Sequence, residues 1–159
     1  METKSWQSYE EVAQYLLQHF REHFGLDRVE PKQKLRGASG TYWEIDAKGV
    51  REGDESDIVL IECRQHRKKR LAQEHVGALA YRVHDTGADG GILVTPLPLQ
   101  EGAKKIAAHS NIVSVQLAPD STPESFVIAF FDKLHAGLTE NIQITESVVV
   151  KLTNVHKKK

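Results

Sequence analysis

The sequence predicts an α/β fold in which a mixed β-sheet is flanked by helices. Short apolar runs rich in β-branched residues alternate with segments whose apolar residues recur at helical spacing. The predicted order is one helix, two or three strands, and then helices and strands in turn. Strands joined by short loops pair antiparallel, whereas strands separated by a helix pair parallel. We therefore expect an antiparallel first part of the sheet and a parallel second part.

Length and composition restrict the class of protein. The 159 residues suit one core, so we expect a single domain over residues 1–159 with a short basic tail at 154–159. No apolar run approaches the roughly 18 residues of a membrane span. The N-terminus lacks an apolar signal-peptide core and the single cysteine, Cys63, cannot form an internal disulfide, so we expect a cytoplasmic protein. The formal net charge of -1 leaves local basic patches as the means of binding nucleic acid.

The first third of the chain predicts a helix followed by strands. Ser8 stands three residues before Glu11 in the capping-box pattern, and Gly25 is expected to end the helix. Apolar residues recur at helical spacing between these ends: Val12, Ala13, Leu16, Leu17, Phe20 and Phe24. After the helix we expect a weak strand or an irregular segment in "RVEPKQKLRG", one strand in "TYWEIDAKGV", a hairpin loop in "REGDES" and an apolar strand in "DIVLIECR".

The remainder of the chain alternates helices with strands. A helical period runs from Lys68 to Asp85, and Gly87 is expected to end this helix. Its apolar face consists of Ala72, Val76, Leu79, Ala80 and Val83. The following segments are predicted as strand, helix, strand, helix and strand, in the order "GGILVTP", "LQEGAKKIAAHS", "NIVSVQL", "ESFVIAFFDKLHAG" and "NIQITESVVVKL".

Two carboxylates stand where neighbouring strands are predicted to end. Asp46 closes "TYWEID" and Glu62 follows the apolar run of "DIVLIE". If the two strands are neighbours, both side chains emerge at one end of the sheet, where they can bind Mg²⁺ or Mn²⁺ and leave water on the metal. Such a metal polarises a phosphoryl oxygen and lowers the pKa of its water. The alternative is that both are merely polar residues at strand ends.

A basic cluster follows Glu62, and it consists of Arg64, Arg67, Lys68, Lys69 and Arg70. Arg64 lies two residues after Glu62, so on a strand the two side chains point to the same side. A cation there can hold the attacking water or the scissile phosphate. The other four residues are expected to open the next helix, where positive charge opposes the helix dipole and a phosphate backbone would offset the cost. A solvated helix start explains them equally well. Cys63 should face away, into the core.

These segments together resemble the Mrr-type restriction endonuclease domain of the PD-(D/E)XK nuclease superfamily. The resemblance rests on "GTYWEIDAKG", "IVLIECRQ" and "DTGADGGILVTPLPLQEGAKKIAAHSNIVSVQL", and it covers about residues 8–117. It implies a restriction-endonuclease-like fold and a DNA endonuclease that uses Mg²⁺ or Mn²⁺. It also implies that Asp46, Glu62 and Glu10 bind the metal, and that Asp46, Glu62 and Arg64 are the catalytic residues.

Position 64 departs from the pattern of this family, which has lysine there. Arg64 can stabilise negative charge, but it is effectively never deprotonated and cannot act as a general base. Two function classes therefore stay open: a metal-dependent DNA endonuclease, and a catalytically impaired nuclease-like module that binds nucleic acid or a protein partner. DNA is the expected partner, and a homodimer is compatible with the sequence. We expect no association with a membrane.

One competing motif is the stretch "HFREH". His19, Glu22 and His23 follow the H-x-x-E-H pattern that can mark a zinc peptidase helix. The chain is short for that architecture and no clear third ligand follows. Five residues match such a pattern easily by chance, so a solvated helix face is the preferred interpretation.

Overall fold

The structure is a computed structural model that describes residues 2–3, 9–19, 21–51, 53–65, 69–119, 125–130, 149–153 and 156–157. Within these ranges the elements follow one another as β1 (Glu2–Thr3), α1 (Tyr9–His19), a 3₁₀ helix (Arg21–Phe24), β2 (Leu26–Glu30), β3 (Gln33–Arg36), β4 (Tyr42–Ile45), β5 (Ala47–Arg51), β6 (Ile58–Cys63), α2 (Gln73–Thr86), β7 (Gly90–Thr95), α3 (Glu101–His109), β8 (Ile112–Pro119), β9 (Ser125–Phe130), β10 (Val149–Thr153) and β11 (His156–Lys157).

The main sheet carries seven of the described strands in the order β10–β9–β8–β7–β6–β5–β2. β6, β7 and β8 run parallel, with Ile61 beside Ile92 and Ile92 beside Val113. The remaining neighbours in this sheet are antiparallel. The parallel strands are those separated by α2 and α3, so the expected mixed sheet flanked by helices is confirmed. Two small sheets, β3 with β4 and β1 with β11, are not hydrogen-bonded to it.

Both faces of the central strands are buried. On one face α2 and α3 pack on the sheet through Ile45, Leu60, Leu71, Val76, Leu79, Val83, Leu93, Leu99, Ala103, Ala107 and Ile112. Val59, Ile61 and Ile92 alternate to the other face and are 0% exposed. Strands covered on both sides are apolar throughout, which explains the continuous apolar runs of β6 and β7.

The first helix is shorter than the sequence predicted. α1 ends at His19, a separate 3₁₀ helix follows, and Gly25 ends that turn with a φ of 64°. Of the predicted apolar residues, Ala13, Leu17 and Phe24 are buried. The side chains of Val12, Leu16, Phe20 and Ser8 lie outside the described part of the chain. Across that part, no helix combines the length and the apolarity needed to cross a membrane.

The helix predicted over residues 124–137 is wrong where the structure describes it. Residues Ser125–Phe130 form β9, which pairs antiparallel with β8 and places Phe126 opposite Pro119. A continuous apolar run has no helical period that would distinguish helix from strand, and aromatic and β-branched residues favour the strand. Residues 131–137 lie outside the described ranges, as do residues 141–148 of the last predicted strand. The end of that strand is confirmed at β10.

The single strand predicted over residues 41–50 is two strands that belong to different sheets. β4 pairs with β3 in a two-stranded ribbon, whereas β5 joins the main sheet between β2 and β6. The chain bends between them at Asp46. Both halves are rich in strand-forming residues, so the sequence pattern continues across a change of direction that tertiary packing imposes. Asp46 consequently stands at the corner between the ribbon and the main sheet.

Asp85, near the C-terminal end of α2, holds the tip of this ribbon. Its carboxylate accepts hydrogen bonds from Trp43 Nε1 at 2.7 Å, from Ser39 Oγ at 2.7 Å and from Ser39 N at 2.9 Å. These hydrogen bonds hold the pKa of Asp85 below its ordinary value, and the bond from Trp43 has the largest effect. Gly37 permits the approach, because a Cβ at that position would overlap the Asp85 carboxylate and lie 3.0 Å from Trp43 Nε1.

Gly37→Ala should therefore lower the free energy of unfolding by about 1–3 kcal/mol, the usual cost of overpacking a filled site. Gly77→Ala in α2 is the matched control, because a Cβ there meets nothing within 4 Å. Alanine is favoured over glycine inside a helix by about 0.5–1 kcal/mol, so the control should be neutral or stabilised. Urea denaturation of both variants measures the difference, and an undisturbed Gly37→Ala would contradict the tight contact with Asp85.

Candidate active site

The antiparallel pairing of β5 with β6 brings Asp46 and Glu62 together. Ala47 pairs with Ile61. Asp46 directly precedes Ala47 and Glu62 directly follows Ile61, so both acids stand at the same end of the strand pair. Asp46 Oδ2 accepts a 2.7 Å hydrogen bond from the backbone N–H of Cys63. This bond fixes the Asp46 carboxylate against the end of β6. The structure thus juxtaposes the two acids that the sequence selected, and their chemical roles stay predictions.

The Glu62 carboxylate is a buried charge held between two arginines. Glu62 is only 7% exposed. Its Oε1 lies 2.7 Å from Arg64 Nη2, and its Oε2 lies 3.1 Å from Arg82 Nη1. Burial raises the pKa of Glu62, the positive charges of Arg64 and Arg82 oppose that rise, and the negative charge of Asp46 adds to it. Because burying a carboxylate is costly unless cations pair with it, both arginines favour the ionised form of Glu62.

Arg82 connects Glu62 to the ribbon. Its guanidinium lies 5.4 Å from the ring centre of Trp43, a cation–π contact. The Trp43 ring also packs edge-on against Tyr81 with the centroids 6.0 Å apart. Among the described residues, the buried Nε of Arg82 has no hydrogen-bond partner. Arg82 is therefore held by its charge and by the aromatic face rather than by a complete set of hydrogen bonds.

Cys63 and Glu10 lie beside the two acids. Cys63 is 8% exposed and belongs to the core, as the strand alternation predicted. Burial raises the pKa of its thiol well above the usual value, and the charges of Asp46, Glu10 and Glu62 add to the rise. Glu10 is exposed in the first turn of α1. Over the described residues, however, no three His, Cys, Asp or Glu side chains form a group that could hold a metal ion. Glu10 is nearby without completing a three-carboxylate site.

The family is decided by the length of the match. Residues 2–119 match the family model Mrr_cat, whose description is restriction endonuclease. The chain belongs to this restriction endonuclease family. The matched region of this Mrr-type chain contains Asp46 and Glu62 and runs from β1 to the end of β8. No curated protein matches the chain.

One solved structure supports the fold of the Mrr-type chain, and two others show a weaker likeness. A crystal structure described as "Protein of Unknown Function AF1548" matches with a TM-score of 0.54 and 21% identity, over 65% of this chain and 55% of that chain. The chain thus spans about half the length of that protein. A repair endonuclease from Pyrococcus abyssi matches with a TM-score of 0.43 and 22% identity, over 74% of this chain and 50% of that chain. The EndoMS-dsDNA2 complex matches with a TM-score of 0.41 and 18% identity, over 77% of this chain and 50% of that chain. Likenesses as weak as these last two indicate neither substrate nor activity.

The two described residues of the predicted helix start, Lys69 and Arg70, lie before α2 and not in its first turn. α2 begins at Gln73 with Ala72 as its N-cap residue, so for these two residues the expected cost against the helix dipole does not arise. Lys69 and Arg70 are exposed in the preceding segment. The backbone carbonyl of Arg70 accepts a 3.1 Å hydrogen bond from Gln100 Nε2, which anchors the segment to the start of α3. Arg67 and Lys68 lie outside the described residues.

The zinc-helix interpretation of "HFREH" is wrong in its geometry. α1 ends at His19, and Glu22 belongs to the separate 3₁₀ helix that starts at Arg21. The spacing of the pattern therefore does not translate into one face of one α-helix. His19 stacks on Tyr15 with ring centroids 6.3 Å apart. The side chain of His23 lies outside the described part of the structure.

Sequence reasoning missed three residues around the site: Arg82, Asp85 and Lys32. Asp85 carries a signal that could have found it, because a carboxylate in the last turn of a helix is disfavoured by the helix dipole and requires partners elsewhere. Arg82 lies three residues before Asp85, a spacing that suggests a local pair within the helix, so its contact with Glu62 had no local signal. The placement of Lys32 depends on the β3–β4 register, for which the local sequence gives no signal.

Arg82→Met should lower the free energy of unfolding by about 1.5–3 kcal/mol, because it removes one of two charged partners from a buried carboxylate and keeps the side-chain volume. Lys104→Met is the control. Lys104 Nζ lies 3.0 Å from Glu101 Oε1 and both side chains are exposed, so losing this ion pair should lower the free energy of unfolding clearly less. Chemical denaturation at neutral pH measures both. Equal losses would mean that Glu62 does not depend on Arg82.

Proposed function

We propose that this chain is a metal-dependent endonuclease that hydrolyses phosphodiester bonds in DNA. The observation that carries the proposal is the juxtaposition of Asp46 and Glu62 at the end of the β5–β6 pair, within a region that matches a restriction endonuclease family. Family membership supports a nuclease. The two carboxylates add the oxygen ligands that a divalent cation requires.

The donor set fits Mg²⁺ or Mn²⁺ in ligand type. Mg²⁺ is commonly held by one or two carboxylates together with water and substrate phosphate. Asp46 uses Oδ2 for the Cys63 amide, and its Oδ1 has no partner among the residues described. Glu62 would offer an oxygen by exchanging Arg64 for the metal, and Glu10 is proposed to contribute from α1. When bound, the metal would polarise the phosphate and lower the pKa of its water.

Arg64 is proposed to change partners during the reaction. Its side chain is 37% exposed, and its guanidinium is paired with Glu62 at 2.7 Å. If Glu62 held a metal, the guanidinium of Arg64 would lose its present partner and would be free to contact the scissile phosphate. A fixed cation at that place stabilises the negative charge that grows as the phosphate is attacked. Because arginine stays protonated, its contribution is charge and not proton transfer.

The alternative function is a nuclease-like module that binds nucleic acid or a protein partner without cutting it. Two observations favour it: arginine occupies position 64, and both oxygens of Glu62 are already paired with arginines. If neither arginine yields to a metal, the site remains closed to the reaction. The basic cluster can bind phosphates in either case.

Nicking of a supercoiled plasmid in Mg²⁺ or Mn²⁺ separates the two functions. Wild type should cleave, and Asp46→Asn and Glu62→Gln should abolish cleavage because each removes a negatively charged metal ligand. Arg64→Lys should retain or raise the rate, whereas Arg64→Ala should lower it by about 10²–10³-fold, the usual loss for one transition-state donor. If wild type and Asp46→Asn both bind the plasmid and leave it intact in both metals, the function is that of the module that does not cut.

The affinity for DNA should fall steeply with salt, because the exposed Lys69 and Arg70 are proposed to contact the phosphate backbone. Removing one cation that binds a phosphate should reduce the slope of log affinity against log salt by about 0.9. Lys69→Ala and Arg70→Ala should therefore weaken binding equally for duplexes of different sequence. Fluorescence anisotropy at several salt concentrations measures the slope. An affinity that does not respond to salt would remove the basic cluster from the interface.

A further inference from the structure

A row of three charged residues crosses the site from the ribbon to the main sheet. The β3–β4 register ends in the pair Gln33 and Ile45, and one step further it leads to Lys32 and Asp46. The β5–β6 register leads in the same way from its last pair to Asp46 and Glu62. Continuing each register by one step thus places Lys32 on one side of Asp46, at the bend between the two sheets, and Glu62 on the other.

The electrostatics of Lys32 agree with this placement. A hydrogen bond to Glu44 raises the pKa of the Lys32 ammonium most, and the charges of Asp46 and Glu10 raise it further. Burial dominates the raised pKa of Glu62, and Lys32 is one of the cations that oppose it. The ammonium of Lys32 thus interacts with all three acids that the sequence selected for the site.

The present partner of Lys32 can be exchanged readily. Lys32 Nζ lies 2.9 Å from Glu44 Oε1, and the two side chains are 62% and 54% exposed. Ion pairs between solvent-exposed side chains contribute little to stability, so the Lys32 ammonium can leave Glu44 at a small cost in free energy. Arg64, by contrast, is paired with Glu62, a buried carboxylate. Lys32 is accordingly the more available of the two cations.

We propose that Lys32 supplies the ammonium group that position 64 lacks, and that it contacts the attacking water or the scissile phosphate beside Asp46 and Glu62. This inference rests on the proposed endonuclease function. In the reaction the oxygen of water bonds to phosphorus while the bond from phosphorus to a sugar oxygen breaks. The water gives up a proton, and the leaving oxygen gains one. Lys32 stays protonated and provides charge and orientation.

An ammonium suits this task differently from a guanidinium. Lysine presents three donors at a compact point charge on a flexible stem, whereas arginine presents a rigid planar fork. With Lys32 in place, the guanidinium of Arg64 is free to stabilise charge without also having to orient the water. The replacement of lysine at position 64 is then compatible with turnover, because the ammonium comes from a neighbouring strand end.

The decisive experiment compares Lys32→Ala with Lys34→Ala, which removes the same charge two residues along the exposed side of the ribbon. Single-turnover plasmid cleavage in Mn²⁺ should fall by about 10²–10³-fold in Lys32→Ala and stay within about twofold of wild type in Lys34→Ala. Adding Arg64→Lys to Lys32→Ala should restore at least about tenfold of the lost rate, because it returns an ammonium to the site. Equal rates for the two alanine variants, or no rescue, would overturn the proposal.

A second measurement requires no turnover. Calorimetry of Mn²⁺ binding without DNA should show a severalfold higher affinity in Lys32→Ala, because a positive charge beside Asp46 is gone, and no change in Lys34→Ala. If wild type itself fails to cleave, the proposed function fails and calorimetry decides the place of Lys32. If the Mn²⁺ affinity rises only in Lys32→Ala, the Lys32 ammonium lies beside the metal site. If the affinities of the two variants and wild type are equal, it does not.

Discussion

A carboxylate that is buried at the end of a central strand between two arginines is the constraint on which the site depends. Glu62 gives up most of its hydration, and that loss is tolerable only because Arg64 and Arg82 each contact one of its oxygens. Buried ion pairs add little stability compared with well-packed apolar residues. Here the two arginines oppose the rise in the pKa of Glu62 that burial causes, so they favour its negatively charged form at this end of β6.

One helix fixes both parts of the site. Arg82 of α2 reaches Glu62 on the main sheet, and Asp85, three residues later on the same helix, holds Ser39 and Trp43 of the ribbon. The ribbon leads directly into Asp46, so a helix that carries neither acid contributes, together with the bond from the Cys63 amide, to the position of Asp46 relative to Glu62. A change in α2 can alter the site without touching a predicted metal ligand.

The sequence predicted the order of the central elements because their apolar runs and helical periods are strong and local. It also selected Asp46 and Glu62, whose spacing to the strand ends survives small errors in the strand boundaries. It could not predict the bend at Asp46, because residues on both sides favour a strand and only packing makes them diverge. It was wrong about β9 because an unbroken apolar run fits helix and strand alike. Arg82 and Lys32 depend on contacts between distant segments, which no local pattern encodes.

The burial of Cys63 has a practical consequence. It is the single cysteine of the chain, and its amide is hydrogen-bonded to Asp46. A thiol in that environment reacts with a labelling reagent only during excursions that separate the end of β6 from its neighbours. The labelling rate therefore measures how often this end of the site opens. Because the native state shields this thiol, a cysteine introduced on the surface can carry a fluorophore with little competing reaction.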